Sequence, residues 1–177
     1  VIGADELQPL IKRAKRTPLM PAASGIPVHF GSDALDRLLP HRPPMRLVDA
    51  IDRLDPDTGT VRGQRALRAE DLGFAGHFPG DPIYPGVLVI EAMGQLGITL
   101  LHFAVDGHRD VAPDVGPRKV RATHVHHATF VASFQPGDAM TLYAQVAHAD
   151  YTLIALAQAW KGDQLAAFAV CEVFVDE

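Results

Sequence analysis

The chain has 177 residues, of which 47% are apolar and 21% charged, with a single cysteine and a formal net charge of -5. That length suits one ordinary domain, and the composition excludes a disordered chain. The acidic balance argues against a general nucleic-acid binder, and a lone Cys171 excludes an intramolecular disulfide, in keeping with a reducing, cytoplasmic setting.

Residues 1–27 read as an N-terminal extension and residues 28–177 as one domain. The stretch Val1 to Leu10 has no long apolar core and does not read as a signal peptide. Leu7 to Arg16 predicts a short basic helix, and Thr17 to Pro27, rich in Pro, Ala and Gly, predicts a linker. Ser32 is a suitable N-cap for a helix over Asp33 to Leu39, which Pro40 stops.

Leu47 to Leu54 and Thr60 to Arg68 read as two strands joined by the turn Asp55-Pro56-Asp57-Thr58-Gly59. A loop dense in Gly and Pro, Gly73 to Gly86, leads into the apolar run Val87 to Val105. Glu91, Gly94, Gln95, Gly97, Thr99 and His102 interrupt that run, which suits a buried helix better than a membrane span. Four strand-like runs follow: Val120 to Ala132, Ala139 to Ala149, Thr152 to Lys161 and Leu165 to Val175. Asp138, Asp150 and Gly162-Asp163 mark the turns between them. Cys171, inside the last run, reads as a buried, inert thiol. A helix apolar on most faces must be wrapped on most sides, and short turns favour antiparallel hairpins. The expected fold class is therefore α+β, a curled antiparallel sheet around one long buried helix.

Chemistry is concentrated in Gly76 to Gln95. Three prolines and three glycines among the eleven residues 76–86 make a loop of low conformational entropy around one imidazole, His77. The loop ends at Pro85-Gly86, where the helix begins. A helix N-terminus exposes unpaired N–H groups at the positive end of the dipole, so an N–H at Gly86 or Val87 suits a carbonyl oxygen on which enolate charge develops. Glu91 stands in the second turn of an apolar helix. Gln95, four residues on, shares its face and is placed to hold it. Burial raises a carboxyl pKa, which suits Glu91 to donate a proton near neutral pH.

The segment resembles the 3-hydroxyacyl-[acyl-carrier-protein] dehydratases of fatty-acid synthesis, in its Gly76-His77-Phe78, its Pro/Gly loop, its Pro85-Gly86 and the acid of the following helix. Leu39-Pro40-His41-Arg42 is similar to that family's opening segment, and Gln135-Pro136-Gly137-Asp138 to its later turn. The resemblance covers about Asp33 to Val175. It implies a hot-dog fold and a homodimer, or an assembly of dimers, with the active site at the subunit interface. His77 then comes from one subunit and Glu91 from the other, and no metal or organic cofactor is needed. It implies that His77 removes a proton from C2, that Glu91 helps the C3 hydroxyl leave, and that Gly86 N–H holds the thioester carbonyl. Val87, Tyr84, Phe78 and Gln95 join Gly86 as expected substrate contacts. Glu91 points to the simple dehydratase branch, whereas Gly80-Asp81-Pro82 is found in the dehydratase/isomerase branch, so an isomerase side activity stays open. Tyr84 in place of Met, and His126-His127 where basic residues are usual, leave the acyl substrate open.

Arg118, Lys119 and Arg121 form the densest basic cluster outside the extension. It reads either as a solvated strand end or as docking for acidic acyl carrier protein and its phosphopantetheine phosphate. His124 and His126 share a strand face, but the sequence near them supplies no further ligand, so no metal site is expected. No nucleophile elbow, dinucleotide fingerprint or phosphate loop is present. Two other functions fit the same fold, an acyl thioesterase and a non-catalytic acyl-binding domain of a synthase.

Overall fold

The computed structural model describes residues 3–176; residues 1, 2 and 177, the outermost positions of the expected extension and domain, lie outside them. The elements are α1 (Ala4–Ala14), β1 (Ile26–Phe30), α2 (Ser32–Leu38), β2 (Ala50–Asp55), β3 (Thr60–Ala66), α3 (Gly86–Leu100), β4 (Val120–Phe130), β5 (Ala139–Ala149), β6 (Thr152–Lys161) and β7 (Gln164–Val175). One antiparallel sheet of seven strands, in the order β1-β2-β3-β5-β6-β7-β4, curls around α3. This is the α+β, hot-dog arrangement that the sequence led us to expect.

Side-chain alternation explains why the sheet can be buried on both faces. Along β6, Leu153, Ala155, Ala157 and Ala159 pack with the central helix, while Ile154, Leu156 and Trp160 belong to a second apolar cluster on the outer face. Small residues on the inner face let α3 approach closely, and the bulky ones wait for a cover. Helix α1 is that cover. Ile11, Ala14, Leu19 and Met20 are buried against Tyr143, Phe168 and Val170. Thr17 to Pro27 is accordingly not a free linker. The buried Gln158 amide donates to the Ala14 and Thr17 carbonyls at 2.7 and 2.9 Å, and its oxygen accepts from Leu19 N–H at 2.9 Å.

Helix α3 runs into a π-helical turn over Leu101–Val105. The combined Gly86–Val105 stretch is long and apolar enough to cross a membrane, yet it is the core helix here, with Ala92, Met93, Leu96 and Leu100 fully buried.

Three expectations need correction. Strand β1 starts inside the expected linker and runs on through residues 28–30, where no element was expected; its Pro27 is tolerated because β1 is an edge strand. The N-cap of α2 is Gly31, and Ser32 is already the first helical residue. Most consequentially, β4 does not form a hairpin with β5 at Asp138. Among the described residues it pairs with β7 alone, and the chain then crosses past β7 and β6 to β5 in the middle of the sheet. The crossing is pinned where Tyr84 N–H donates to Phe134 O at 2.8 Å and Gly137 N–H to Leu67 O at 2.7 Å.

Candidate active site

His77 follows a single 3-10 turn, Phe74–Gly76. The turn is entered through Gly73, whose φ of +103° is disfavoured for other residues and whose missing Cβ would lie 2.7 Å from the Pro85 ring. The loop beyond it is closed by reciprocal bonds of 3.1 Å between the backbones of Phe78 and Asp81, and by Ile83 N–H donating to His77 O at 2.8 Å. The imidazole Nδ1 lies 2.9 Å from Ile83 O. A carbonyl only accepts, so Nδ1 carries the proton in the neutral ring and Nε2 keeps a lone pair for chemistry. Phe78 stacks on the imidazole at 4.1 Å and is itself half exposed, supporting His77 from outside the cleft.

The cleft beside His77 has a volume of about 560 Å³ and is lined by Tyr84, Gly86, Val87, Ile90, Phe130 and Phe134, among others. Its size and apolar walls suit a small molecule or an acyl chain. Gly86 opens α3, with Pro85 as its cap. The N–H groups of Gly86 and Val87 have no acceptor among the described residues, so both are available to a ligand at the positive end of the helix. A Cβ on Gly86 would meet the Phe130 ring at 2.9 Å, so glycine is what lets that ring lie over the helix start. Tyr84 packs on Phe74 at 5.2 Å. Its buried hydroxyl sits beside Arg65, which bridges Asp49 and Asp71, and burial pushes the phenol above its ordinary pKa.

Glu91 is not among the residues lining this cleft. It points instead toward the segment before β2. Its Oε1 accepts from Gln95 Nε2 at 2.8 Å and lies 3.3 Å from His41 Nε2. Gln95 is 1% exposed, donates also to Met45 O at 2.7 Å and accepts from Leu47 N–H at 2.7 Å. With its polar atoms engaged, Gln95 holds Glu91 rather than contacting a ligand directly. His41 had no role assigned from sequence beyond its place in Leu39-Pro40-His41-Arg42. Only the fold brings it to Glu91, fifty positions on.

The basic cluster divides. Arg118 pairs with Asp106 at 2.9 Å, and Arg121 with Asp176 at 2.7 Å while lying over the Phe174 ring; Lys119 is exposed. Arg121 and Phe130 stand at opposite ends of β4, roughly 30 Å apart at about 3.3 Å per residue, so within one chain the cluster is remote from the cleft.

A helix wrapped by an antiparallel sheet, with a histidine loop at its N-terminus and an acid one turn further, defines the class. Solved structures agree on the fold. The dehydratase heterocomplex ApeI:P from Xenorhabdus doucetiae aligns with a TM-score of 0.61 at 16% identity over 87% of this chain and 93% of that one. An uncharacterized protein, PH1136 from Pyrococcus horikoshii, aligns at 0.55 and 13% identity over 86% and 95% of the two chains.

The chain belongs to the FabA-like domain family, whose sequence profile matches residues 39–170. Among curated relatives it is similar to the 3-hydroxyacyl-[acyl-carrier-protein] dehydratase FabZ of Chlamydia trachomatis serovar D, 38% identical over 146 residues, covering 78% of this chain and 87% of the relative. The FabZ of Sorangium cellulosum is 33% identical over 129 residues, covering 73% and 79%.

Proposed function

We propose that this protein removes water from 3-hydroxyacyl thioesters carried on acyl carrier protein, giving trans-2-enoyl thioesters for fatty-acid or a related acyl synthesis in the cytoplasm. The observation that carries the reading is the His77–Ile83 hydrogen bond, which leaves Nε2 basic in a cleft that ends at two free helix N–H groups. The thioester carbonyl accepts from Gly86 and Val87 N–H. His77 Nε2 takes the C2 proton, and the C2 electron pair forms the C2–C3 double bond as the C3–O bond breaks. Glu91 supplies a proton to the departing hydroxyl, which leaves as water. No step calls for a metal or an organic cofactor. Glu91 stands where the resemblance places the acid of the simple dehydratase branch, which favours dehydration with isomerisation at most a side activity.

The site is completed by a second copy. Glu91 lies outside the cleft of its own His77, and β4 is an eleven-residue edge strand, with Val125 and Phe130 more than half exposed. Long uncovered edges of this kind are templates for pairing. Antiparallel pairing of two β4 strands brings the Arg118–Arg121 end of one copy beside the Phe130 end, and so the cleft, of the other. That juxtaposition suits docking of an acidic carrier protein.

Mass spectrometry of 3-hydroxyacyl carrier protein, incubated with the enzyme, tests the reading. Loss of water is expected, and its disappearance in His77→Ala. Release of free acid would instead make the protein a thioesterase.

A further inference from the structure

We propose that His124, His126 and Glu172 form a site for a divalent transition-metal ion of the zinc class, on the outer face of the sheet and separate from the catalytic cleft. The sequence near the two histidines offers no acid. The fold supplies one, because β7 places Glu172 directly opposite His124 in the ladder. Glu172 shares the face of Phe168 and Val170, which pack in the outer cluster.

The Glu172 side chain is 6% exposed. A buried carboxylate needs compensation, and His126 Nε2 supplies it at 2.6 Å. One histidine would suffice for that purpose. The structure adds a second: His124 Nδ1 stands 3.7 Å from the same Oε2, its ring stacked on that of His126 at 5.2 Å. Irregular register between Ala122 and His124, and again between Val125 and His127, brackets the pair. Such bulges re-aim side chains at sheet edges.

The three donor atoms lie within 4.8 Å of one another. Tetrahedral zinc, with bonds of about 2.0–2.2 Å, wants its ligands roughly 3.4 Å apart. Entry of the ion therefore requires His126 to withdraw from Glu172 and His124 to close toward both. His124 is half exposed and free to do so. Two imidazoles and one carboxylate select zinc, cobalt or nickel over magnesium or calcium, and leave a fourth position for water. The ion would fasten β4 to β7, its neighbour within the chain, with His126 four residues along from Phe130 of the cleft.

Tag-free full-length protein, stripped with a chelator, is titrated with zinc against a chromophoric competitor, and with cobalt while the visible spectrum is followed. We expect one ion per chain, a cobalt spectrum of four-coordinate type, and a zinc-dependent rise in melting temperature. In His124→Ala, and in Glu172→Gln, affinity falls on the order of 100-fold and the rise vanishes. His148→Ala, a histidine outside the cluster, leaves affinity unchanged. Absence of saturable binding, or wild-type affinity in His124→Ala, overturns the site. The exposed position of His124 keeps that variant decisive should Glu172→Gln fail to fold.

Discussion

Gln95 holds Glu91 from one helical turn further along α3, its amide donating to Glu91 Oε1 at 2.8 Å while its own oxygen accepts from Leu47 N–H at 2.7 Å. The acid is thereby tied to the segment that enters β2, where His41 also approaches it. The proposed base and acid are thus held by different parts of the chain, His77 by its own loop and Glu91 by a strap forty-odd residues earlier. Gln95→Leu strands a buried Leu47 N–H, a loss of roughly 1–3 kcal/mol. Thermal unfolding is expected several degrees below wild type, at about 2–4 °C per kcal/mol for a chain of this size. Turnover should fall too, and an unchanged melting temperature would contradict the strap.

His77→Ala and Glu91→Gln should each lower turnover by roughly 10²–10⁴. Mixing the two inactive proteins, after dissociation and reassembly, tests the shared site. Statistical reassembly makes half the dimers mixed, each with one intact site, so activity should return to about a quarter of wild type. No recovery from verified mixed dimers would place both residues in one subunit's site.

Gly86→Ala should fold normally yet lose about 10²-fold in kcat/KM. The added Cβ meets the Phe130 ring at 2.9 Å, so this ring, which lines the cleft, must leave its place over the helix start. Gly86→Ala with wild-type kinetics would show that the seating of the Phe130 ring over the helix start does not matter to turnover.

Charge reversal at Arg118 and Lys119 should raise KM for acyl carrier protein about tenfold with little change in kcat. The same variant should treat a small N-acetylcysteamine thioester as wild type does. An equal loss on both substrates would mean a folding defect rather than docking.

Burial pushes the Cys171 thiol up to about 11, two units above its ordinary 9.0. Folded protein at pH 8 should therefore react with an alkylating or disulfide reagent far more slowly than unfolded protein. Because the folded thiol keeps its proton while the unfolded one ionises, stability falls as pH rises from about 9 through 11. Cys171 is partly buried, and rapid labelling of the native state at pH 8 would contradict its shielding.

The core helix and the His77 loop were legible in the sequence because each is a local pattern, an apolar run or a cluster of Pro and Gly. What was not legible depends on pairing across distance. Ile26 to Phe30 is too short, and too interrupted by Pro27, to declare itself a strand before its partner β2 is known. His41 meets Glu91, and Glu172 meets His124, only through the sheet and the strap. Leu7 to Arg16 showed a helix, whereas its docking rests on Tyr143, Trp160 and Phe168, whose outward alternation has meaning only once strand neighbours are assigned. The order that sets β4 beside β7 left no mark at Asp138, where a turn and a crossing use the same residues.

That order also has a temporal side. Strands β5, β6 and β7 are consecutive hairpins, whose pairings span short stretches of chain and cost little loop entropy to close. Strand β4 precedes all three and, among the described strands of its own chain, pairs only with β7. The nascent protein therefore carries both proposed catalytic residues, and much of their hydrogen bonding, while the Phe130 wall still hangs unpaired and prone to wrong partners. Completion of the proposed site therefore waits on β7.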